Sequence, residues 1–197
     1  MTDRSARVER ATKETQIAVE VRLDGEGRVD AVTGVGFFDH MLDALGRHGL
    51  LDLEVRAAGD THVDAHHTVE DAGIVIGQAL ASALGDKRGI TRFGSCTLPM
   101  DEALVLAAVD VSGRGQLHWD VDLPFGMVGA FDTQLAREFF IALAANAGIT
   151  LHVRQLAGDN AHHVIEACFK AVGRALRQAV EPDQRMAGQL PTTKGAL

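Results

Sequence analysis

The chain has 197 residues, 46% of them apolar, and a formal net charge of −8. This charge argues against a nucleic-acid partner or an anionic membrane surface, and no apolar run approaches the ~20 residues needed to span a bilayer. The two cysteines form no disulfide framework, and residues 1–10 lack the apolar core of a secretory signal. We therefore expect a cytoplasmic protein.

The predicted elements alternate between strands and helices. Strands are expected where apolar residues alternate, and helices where they recur every three or four residues. Residues 1–12 are polar and predicted to be a mobile arm. The predicted strands cover residues 15–23, 28–35, 50–58, 90–98, 103–111, 116–121 and 149–156. The predicted helices cover residues 37–47, 66–84, 131–147 and 161–180, and a tail of residues 184–197 follows Pro182.

Two of the helices begin with the same motif. His66-His67-Thr68-Val69-Glu70 recurs as His162-His163-Val164-Ile165-Glu166. Residues three and four apart share a helix face, so each Glu can converge with either His of its pair, whereas adjacent His point about 100° apart. A doubled His with one carboxylate therefore indicates two neighbouring ions, and imidazole with carboxylate suits Mn, Fe, Co or Zn. The alternative is that these His pairs lie on helix surfaces by chance. The occurrence of two such motifs in register argues against that alternative.

The repeat extends beyond these motifs. Aligning His66 with His162 places His40 opposite Glu138, and Glu14 opposite Glu102. Residues 1–89 and 90–197 are therefore predicted to be copies of one unit. Each has about four strands and two helices, which predicts an α+β fold whose half-sheets are covered by helices on one face and packed as one unit. Each half offers one potential ligand from its first helix and three from its second.

Several other residues are candidates for function. Four basic residues could form an anion pocket, because Arg and Lys both bind phosphate. They are Arg92, Arg114, Lys170 and Lys194, the last within Pro191-Thr192-Thr193-Lys194. Taken one at a time, each of these four residues is also typical of a solvated surface charge. Asp39 precedes His40 and is a candidate acceptor for that imidazole. Glu14 is either an exposed strand-end charge or a functional carboxylate. His118 and His152 are interpreted as structural or surface residues.

Together these motifs resemble the imidazoleglycerol-phosphate dehydratase family, in its monofunctional form. The resemblance covers nearly the whole chain and rests on Lys13-Glu14-Thr15-Gln16-Ile17, Phe37-Phe38-Asp39-His40-Met41-Leu42, Asp64-Ala65-His66-His67-Thr68-Val69-Glu70-Asp71, Arg92-Phe93-Gly94, Pro99-Met100-Asp101-Glu102-Ala103, Gly158-Asp159-Asn160-Ala161-His162-His163, Glu166-Ala167-Cys168-Phe169-Lys170 and Thr193-Lys194-Gly195. The fold that it implies is the ribosomal protein S5 domain 2-like arrangement of two tandem similar halves.

The resemblance also implies a site. Two Mn(II) ions per active site are expected, one held by His40, His67, Glu70 and His162, the other by His66, Glu138, His163 and Glu166. Glu138 departs from the members that carry His there. Glu14 resembles the family's acid/base residue. The substrate-binding residues implied are Glu14, His40, His48, His66, His67, Glu70, Arg92, Arg114, His162, Lys170, Thr192, Thr193 and Lys194. The family forms a cage of 24 identical chains with metal sites at subunit contacts.

The reaction implied is dehydration of imidazole glycerol phosphate to imidazole acetol phosphate in histidine biosynthesis. Binding the imidazole between two metal ions favours the imidazolate, which expels hydroxide before a carboxylate takes a proton. Two alternatives are a metal-storage cage, which needs four long helices per chain, and a dimetal phosphoesterase, which needs Asp-rich ligands. The products distinguish them, because dehydration yields a ketone, hydrolysis yields free phosphate and storage yields neither.

Overall fold

Four α-helices, two four-stranded sheets and one two-stranded sheet make up most of the computed structural model of the protein, which describes residues 4–195. The helices are α1 (Gly36–Gly49), α2 (His66–Leu84), α3 (Leu135–Ala147) and α4 (Ala161–Val180). None of these helices combines the length and the apolar character that crossing a membrane requires. The strands are β1 (Ser5–Ala11), β2 (Thr15–Arg22), β3 (Val29–Val32), β4 (Asp52–Gly59), β5 (Phe93–Met100), β6 (Ala103–Asp110), β7 (Gln116–Asp120), β8 (Met127–Val128), β9 (Phe131–Asp132) and β10 (Thr150–Ala157).

The two large sheets have the same topology. The first has the strand order β1-β2-β4-β3 and the second β5-β6-β10-β7. In each sheet the first three strands are antiparallel, and the fourth joins its neighbour in parallel. The prediction of an α+β fold built from two similar halves is therefore confirmed.

The helices pack across the two halves. α1 from the first half lies against α4 from the second, and α2 lies against α3 in the same way. α2 also covers β1 and β2, while α4 covers β5 and β6. The helices are thus enclosed by the two sheets, and neither half has a core of its own. This crossing brings chemistry-bearing residues of one half next to those of the other.

Aromatic rings fill the centre of this helical layer. The ring of Phe139 lies 5.3 Å from Phe38 and 5.1 Å from Phe169, between centroids. All three side chains are fully buried, and each aromatic ring removes a large apolar area from water. The inward positions predicted for α1, which include Phe38, Met41 and Leu42, are buried as well. The periodicity therefore identified the core faces of the helices correctly.

The structure differs from the predicted elements near the chain start and before α3. Residues 5–11 form strand β1 rather than a mobile arm, with Val8 opposite Val19 of β2. Arg10 donates to Asp71 of α2 across 3.2 Å, which attaches β1 to the helical layer. The predicted helix over residues 131–147 begins only at Leu135, because Phe131–Asp132 pairs with Met127–Val128 as a small hairpin.

Candidate metal centre

The two His-His-x-x-x-Glu motifs occupy the first turns of α2 and α4. Asn160 caps α4, since its Oδ1 accepts the backbone N–H groups of His162 and His163 at 3.0 and 3.4 Å. Asp64 precedes α2 and accepts the backbone N–H of His66 at 2.8 Å. These short polar side chains fix where each helix begins, and so they place the imidazoles on its first turn.

One cluster of three potential ligands, the His40 cluster, consists of His40, His162 and Glu166. Its ligand atoms all lie within 4.8 Å of one another. The Oε2 atom of Glu166 is 3.2 Å from Nε2 of His40 and 3.2 Å from Nε2 of His162. His40 comes from α1 and the other two from α4, so the cluster depends on the packing of the two halves. Two imidazoles with one carboxylate form a donor set that fits a first-row transition metal.

The carboxylate of Glu166 is ionised by its surroundings. Burial by itself would raise its pKa, but hydrogen bonds from Lys170 and His40 outweigh that effect and lower the pKa. The Lys170 Nζ atom lies 2.7 Å from Oε1, which leaves Oε2 directed at the two imidazoles. Glu166 is therefore a charged acceptor at neutral pH although only 6% of it is exposed.

A second group, the His66 cluster, consists of His66, Glu70 and Glu138. The Nε2 atom of His66 lies 3.6 Å from Oε2 of Glu70. Glu138 of α3 lines the same cavity as His66, a space of about 660 Å³. Because α3 packs on α2 as α1 packs on α4, Glu138 is the counterpart of His40. Within residues 4–195, only the His40 cluster brings three ligand atoms as close as 4.8 Å.

The second His of each pair contacts a carboxylate outside these clusters. His67 Nδ1 lies 3.0 Å from Oδ2 of Asp60 and 3.9 Å from Oε2 of Glu14. His163 Nδ1 lies 2.8 Å from Oε2 of Glu102. The hydrogen bond that His67 donates to Asp60 raises the pKa of His67, and the one that His163 donates to Glu102 raises the pKa of His163. Neither imidazole completes the cluster of its own chain.

The contacts within one chain group these side chains differently from the allocation that the resemblance implied for sites at subunit contacts, and that allocation stays a prediction. That allocation separates Glu166 from His40 and His162, whereas the structure places its carboxylate against both imidazoles. It also separates His66 from Glu70, which share a helix face in the structure. Spacing four apart on a helix makes the observed pairs the natural ones.

A basic region lies at one end of the second sheet. Arg92 donates through Nε to Oδ1 of Asp110 at 2.7 Å and through Nη1 to the carbonyl oxygen of Pro191 at 2.8 Å. Arg114 approaches the same carboxylate to 3.9 Å. The backbone N–H of Lys194 donates to Oγ1 of Thr192 at 3.1 Å, and Thr193 lies between them. The structure therefore brings Arg92, Arg114 and the start of the predicted anion-binding tail to one region.

Lys170 is separate from that region. Its ammonium binds Glu166 of the His40 cluster and lies 3.7 Å from the sulfur of Met100. His48, also predicted to contact the substrate, is half-buried. Burial lowers the pKa of His48, and the positive charges of Lys170 and Arg174 lower it further. The four predicted anion-binding residues therefore do not converge within one chain.

Three carboxylates have contacts that the sequence did not predict, although the repeat had already aligned one of them, Glu102, with Glu14. Asp60 and Glu102 hold imidazoles, and Asp110 holds two guanidinium groups. Asp39, which the sequence favoured as an acceptor for His40, instead accepts from the backbone and the hydroxyl of Thr33 at 2.9 and 2.6 Å. The contact of Glu102 with His163 joins residues 61 apart in the chain, whereas Asp60 and His67 are seven apart and Asp110 and Arg114 four apart.

Comparison with known proteins identifies similar sequences over the full chain. The family model of imidazoleglycerol-phosphate dehydratase matches residues 33–176. The imidazoleglycerol-phosphate dehydratase of Paracoccus denitrificans is 66% identical over 194 residues, covering 98% of this chain and 100% of that protein. The one from Desulforamulus reducens is 61% identical over 197 residues, with both chains covered completely.

Solved structures of the same family are also similar to this fold. The imidazoleglycerol-phosphate dehydratase of Staphylococcus aureus matches with a TM-score of 0.82 and 40% identity, covering 90% of this chain and 99% of that one. The Pyrococcus furiosus protein, solved in complex with (S)-C348, matches with a TM-score of 0.83 and 37% identity, covering 96% and 100%.

Proposed function

Since the chain belongs to the imidazoleglycerol-phosphate dehydratase family, we propose that it is a metal-dependent enzyme that removes water from imidazole glycerol phosphate. The product is imidazole acetol phosphate, and the reaction is a step of histidine biosynthesis. The His40 cluster is the observation that carries the metal dependence, because its three ligand atoms lie within 4.8 Å of one another. The expected cytoplasmic location stays a prediction.

Two Mn(II) ions per active site are part of this proposal. His40, His162 and Glu166 would hold one ion, and His66, Glu70 and Glu138 would hold the other. This grouping follows the distances within the chain and exchanges Glu70 and Glu166 relative to the allocation expected from the resemblance. When bound, the ions supply Lewis-acid stabilisation of negative charge on the substrate's imidazole.

His67 and His163 complete these sites from another copy of the chain. The support is their contact with Asp60 and Glu102, which keeps both imidazoles out of their own chain's clusters. Three ligands from one copy and one from the next make four per ion. A homo-oligomer follows from this arrangement, and we propose the 24-chain cage of the resemblance.

The chain's own residues have two further roles, which are proton transfer and substrate binding. Glu14 lies in the turn between β1 and β2, and its side chain is 54% exposed. The hydroxyl beside the substrate's imidazole leaves, and Glu14 accepts the proton from the neighbouring carbon. The resulting enol tautomerises to the ketone.

The phosphate is held by the basic region. Arg92, Arg114, Lys170, Thr192, Thr193 and Lys194 provide the guanidinium, ammonium and hydroxyl donors of this proposal. Because Lys170 lies apart from the others within one chain, it contributes from a different copy. Fixing the far end of the substrate holds its reacting carbons in place and lowers the entropic barrier.

Alanine variants of the two motifs test this function. His66→Ala and His162→Ala are each expected to abolish ketone formation and to reduce bound Mn(II), measured by metal analysis of the purified protein. His118→Ala is the matched control, since His118 stacks on His152 outside both clusters. Full metal content together with full turnover in either motif variant would refute the two-cluster assignment.

A further inference from the structure

Each half of the chain anchors one imidazole in the same way. Asp60 lies with both carboxylate oxygens within 3.2 Å of Nδ1 of His67. Glu102 lies with Oε2 at 2.8 Å from Nδ1 of His163. A carboxylate can only accept, so Nδ1 carries the proton in both rings. The nitrogen that retains a free lone pair is then Nε2.

We propose that Asp60 and Glu102 are positioning residues that present Nε2 of His67 and of His163 to a metal ion. This inference rests on the proposed function, because it assumes that both imidazoles are ligands. A carboxylate on the second ring nitrogen fixes the tautomer, fixes the ring orientation and makes the ligand more basic. These effects matter most for an imidazole that must reach a cluster on another copy, since nothing in its own cluster holds it.

The contacts around each carboxylate support an orienting role. The Asp60 side chain is only 19% exposed, and its backbone N–H donates to the carbonyl oxygen of Glu14 at 3.1 Å. Glu102 also accepts the backbone N–H of Asn160 at 3.2 Å. Each carboxylate therefore joins a turn between strands to the first turn of a ligand-bearing helix.

The two halves use carboxylates from non-equivalent positions, and this difference has a consequence for catalysis. By the repeat, Glu102 corresponds to Glu14, and Glu102 holds its imidazole at 2.8 Å. In the first half Asp60 takes that place, and the Glu14 carboxylate is left 3.9 Å from His67. Asp60 thereby frees Glu14 for proton transfer, whereas Glu102 is committed to His163. This explains why one of two equivalent glutamates serves as the acid/base.

Mn(II) affinity tests the proposal in the full-length chain. The protein is stripped with a chelator and titrated with Mn(II) by calorimetry. Asp60→Ala and Glu102→Ala are each expected to bind Mn(II) 10- to 100-fold more weakly, as typical for loss of such a partner. Asp60→Asn and Glu102→Gln keep an acceptor oxygen and should lose less. These variants also keep the test decisive if an alanine variant does not fold.

Two control variants carry the same change at the far end of the same helix. Asp86 lies just after the end of α2, and Glu181 lies just after the end of α4. The variants Asp86→Ala and Glu181→Ala should both bind Mn(II) like the parent. Turnover supplies a second readout. Saturating Mn(II) should restore turnover in Glu102→Gln, because the loss is one of metal affinity, whereas no Mn(II) concentration should restore it in Glu14→Gln.

The outcomes separate this inference from the proposed function. Parent-like Mn(II) affinity in Asp60→Ala and Glu102→Ala, with a parent that binds Mn(II) and forms the ketone, overturns the positioning role alone. A Glu102→Gln variant that binds Mn(II) normally but stays inactive at saturation makes Glu102 an acid/base and also overturns it. If the parent protein binds no Mn(II), both this inference and the proposed metal-dependent function are refuted.

Discussion

The close approach of α1 and α4 sets the geometry of the His40 cluster, and Gly173→Ala tests this. A Cβ atom at residue 173 would lie 2.4 Å from the carbonyl oxygen of Leu45, where ordinary contact begins at 3.4 Å. The two helices would have to separate by roughly 1 Å, since a packed interior leaves no room nearby. Leu45 contributes a backbone atom, which cannot rotate away as a side chain could.

The expected cost follows from two opposing effects. Overpacking of this kind costs about 1–3 kcal/mol, and replacing a helical Gly by Ala returns up to about 1 kcal/mol of helix propensity. We expect a net loss of about 1–2 kcal/mol in the free energy of unfolding, or a melting temperature lower by about 2–8 °C.

Chemical denaturation of the metal-free protein measures the stability change, and Mn(II) titration measures its effect on the site. Separation of α1 from α4 moves His40 away from Glu166, which are 3.2 Å apart, so Mn(II) should bind more weakly to Gly173→Ala. Gly36→Ala is the matched control in α1, since no atom lies within 4 Å of its Cβ position. Equal stability and Mn(II) affinity in Gly173→Ala and Gly36→Ala would refute the reasoning.

Three further predictions address catalysis, substrate binding and pH. Glu14→Gln should reduce turnover by about 10²–10⁴-fold without loss of bound metal; parent-like turnover would reduce Glu14 to a surface charge, and loss of metal would make it a ligand. Asp110→Asn removes the charged partner of Arg92, so KM should rise about 10-fold with kcat nearly unchanged; a fall in kcat alone would contradict this. His152 should contribute a loss of stability in thermal melts of the metal-free protein as pH falls below 6.5, because burial and the adjacent His118 lower its pKa, so its protonation favours the unfolded chain, whereas His67 and His163, whose pKa values are raised, contribute with the opposite sign. This slope should flatten in His152→Gln, and an unchanged slope would exclude the stacked pair as a cause.

The sequence predicted the elements whose signal is local. The apolar periodicity of α1, α2 and α4 identified their buried faces, and the repeat predicted two similar half-sheets. Strand β1 was missed because Val8 is the only large apolar residue among Ser5–Ala11, so it reads as a polar arm. Its order comes from pairing with β2 and from the contact of Arg10 with Asp71, which are tertiary effects.

The same distinction between local and tertiary information applies to the candidate site. Spacing on one helix allowed Glu70 to meet either His66 or His67, and in the structure Glu70 faces His66 as Glu166 faces His162. The approach of His40 to Glu166 depends on how α1 crosses α4, and the repeat alone does not specify that crossing.

The contacts of the carboxylates that hold the second imidazoles were not predicted from the sequence either. Asp60 directly follows β4, at the start of the turn that leads to α2, and Glu102 comes from the turn between β5 and β6. Only the folded chain brings Glu102 to His163. Asp39, a candidate acceptor for the adjacent His40, forms a local hydrogen bond with Thr33 instead.

Anaerobic Mn(II) titration of the metal-free protein, with product analysis, tests the central claim most directly. Imidazole glycerol phosphate is supplied, and ketone and free phosphate are both measured. The account predicts no ketone without metal, a rise in ketone formation that saturates at about two Mn(II) ions per chain, and no free phosphate at any point. Full ketone formation by the metal-free protein, or release of free phosphate in place of the ketone, would contradict it.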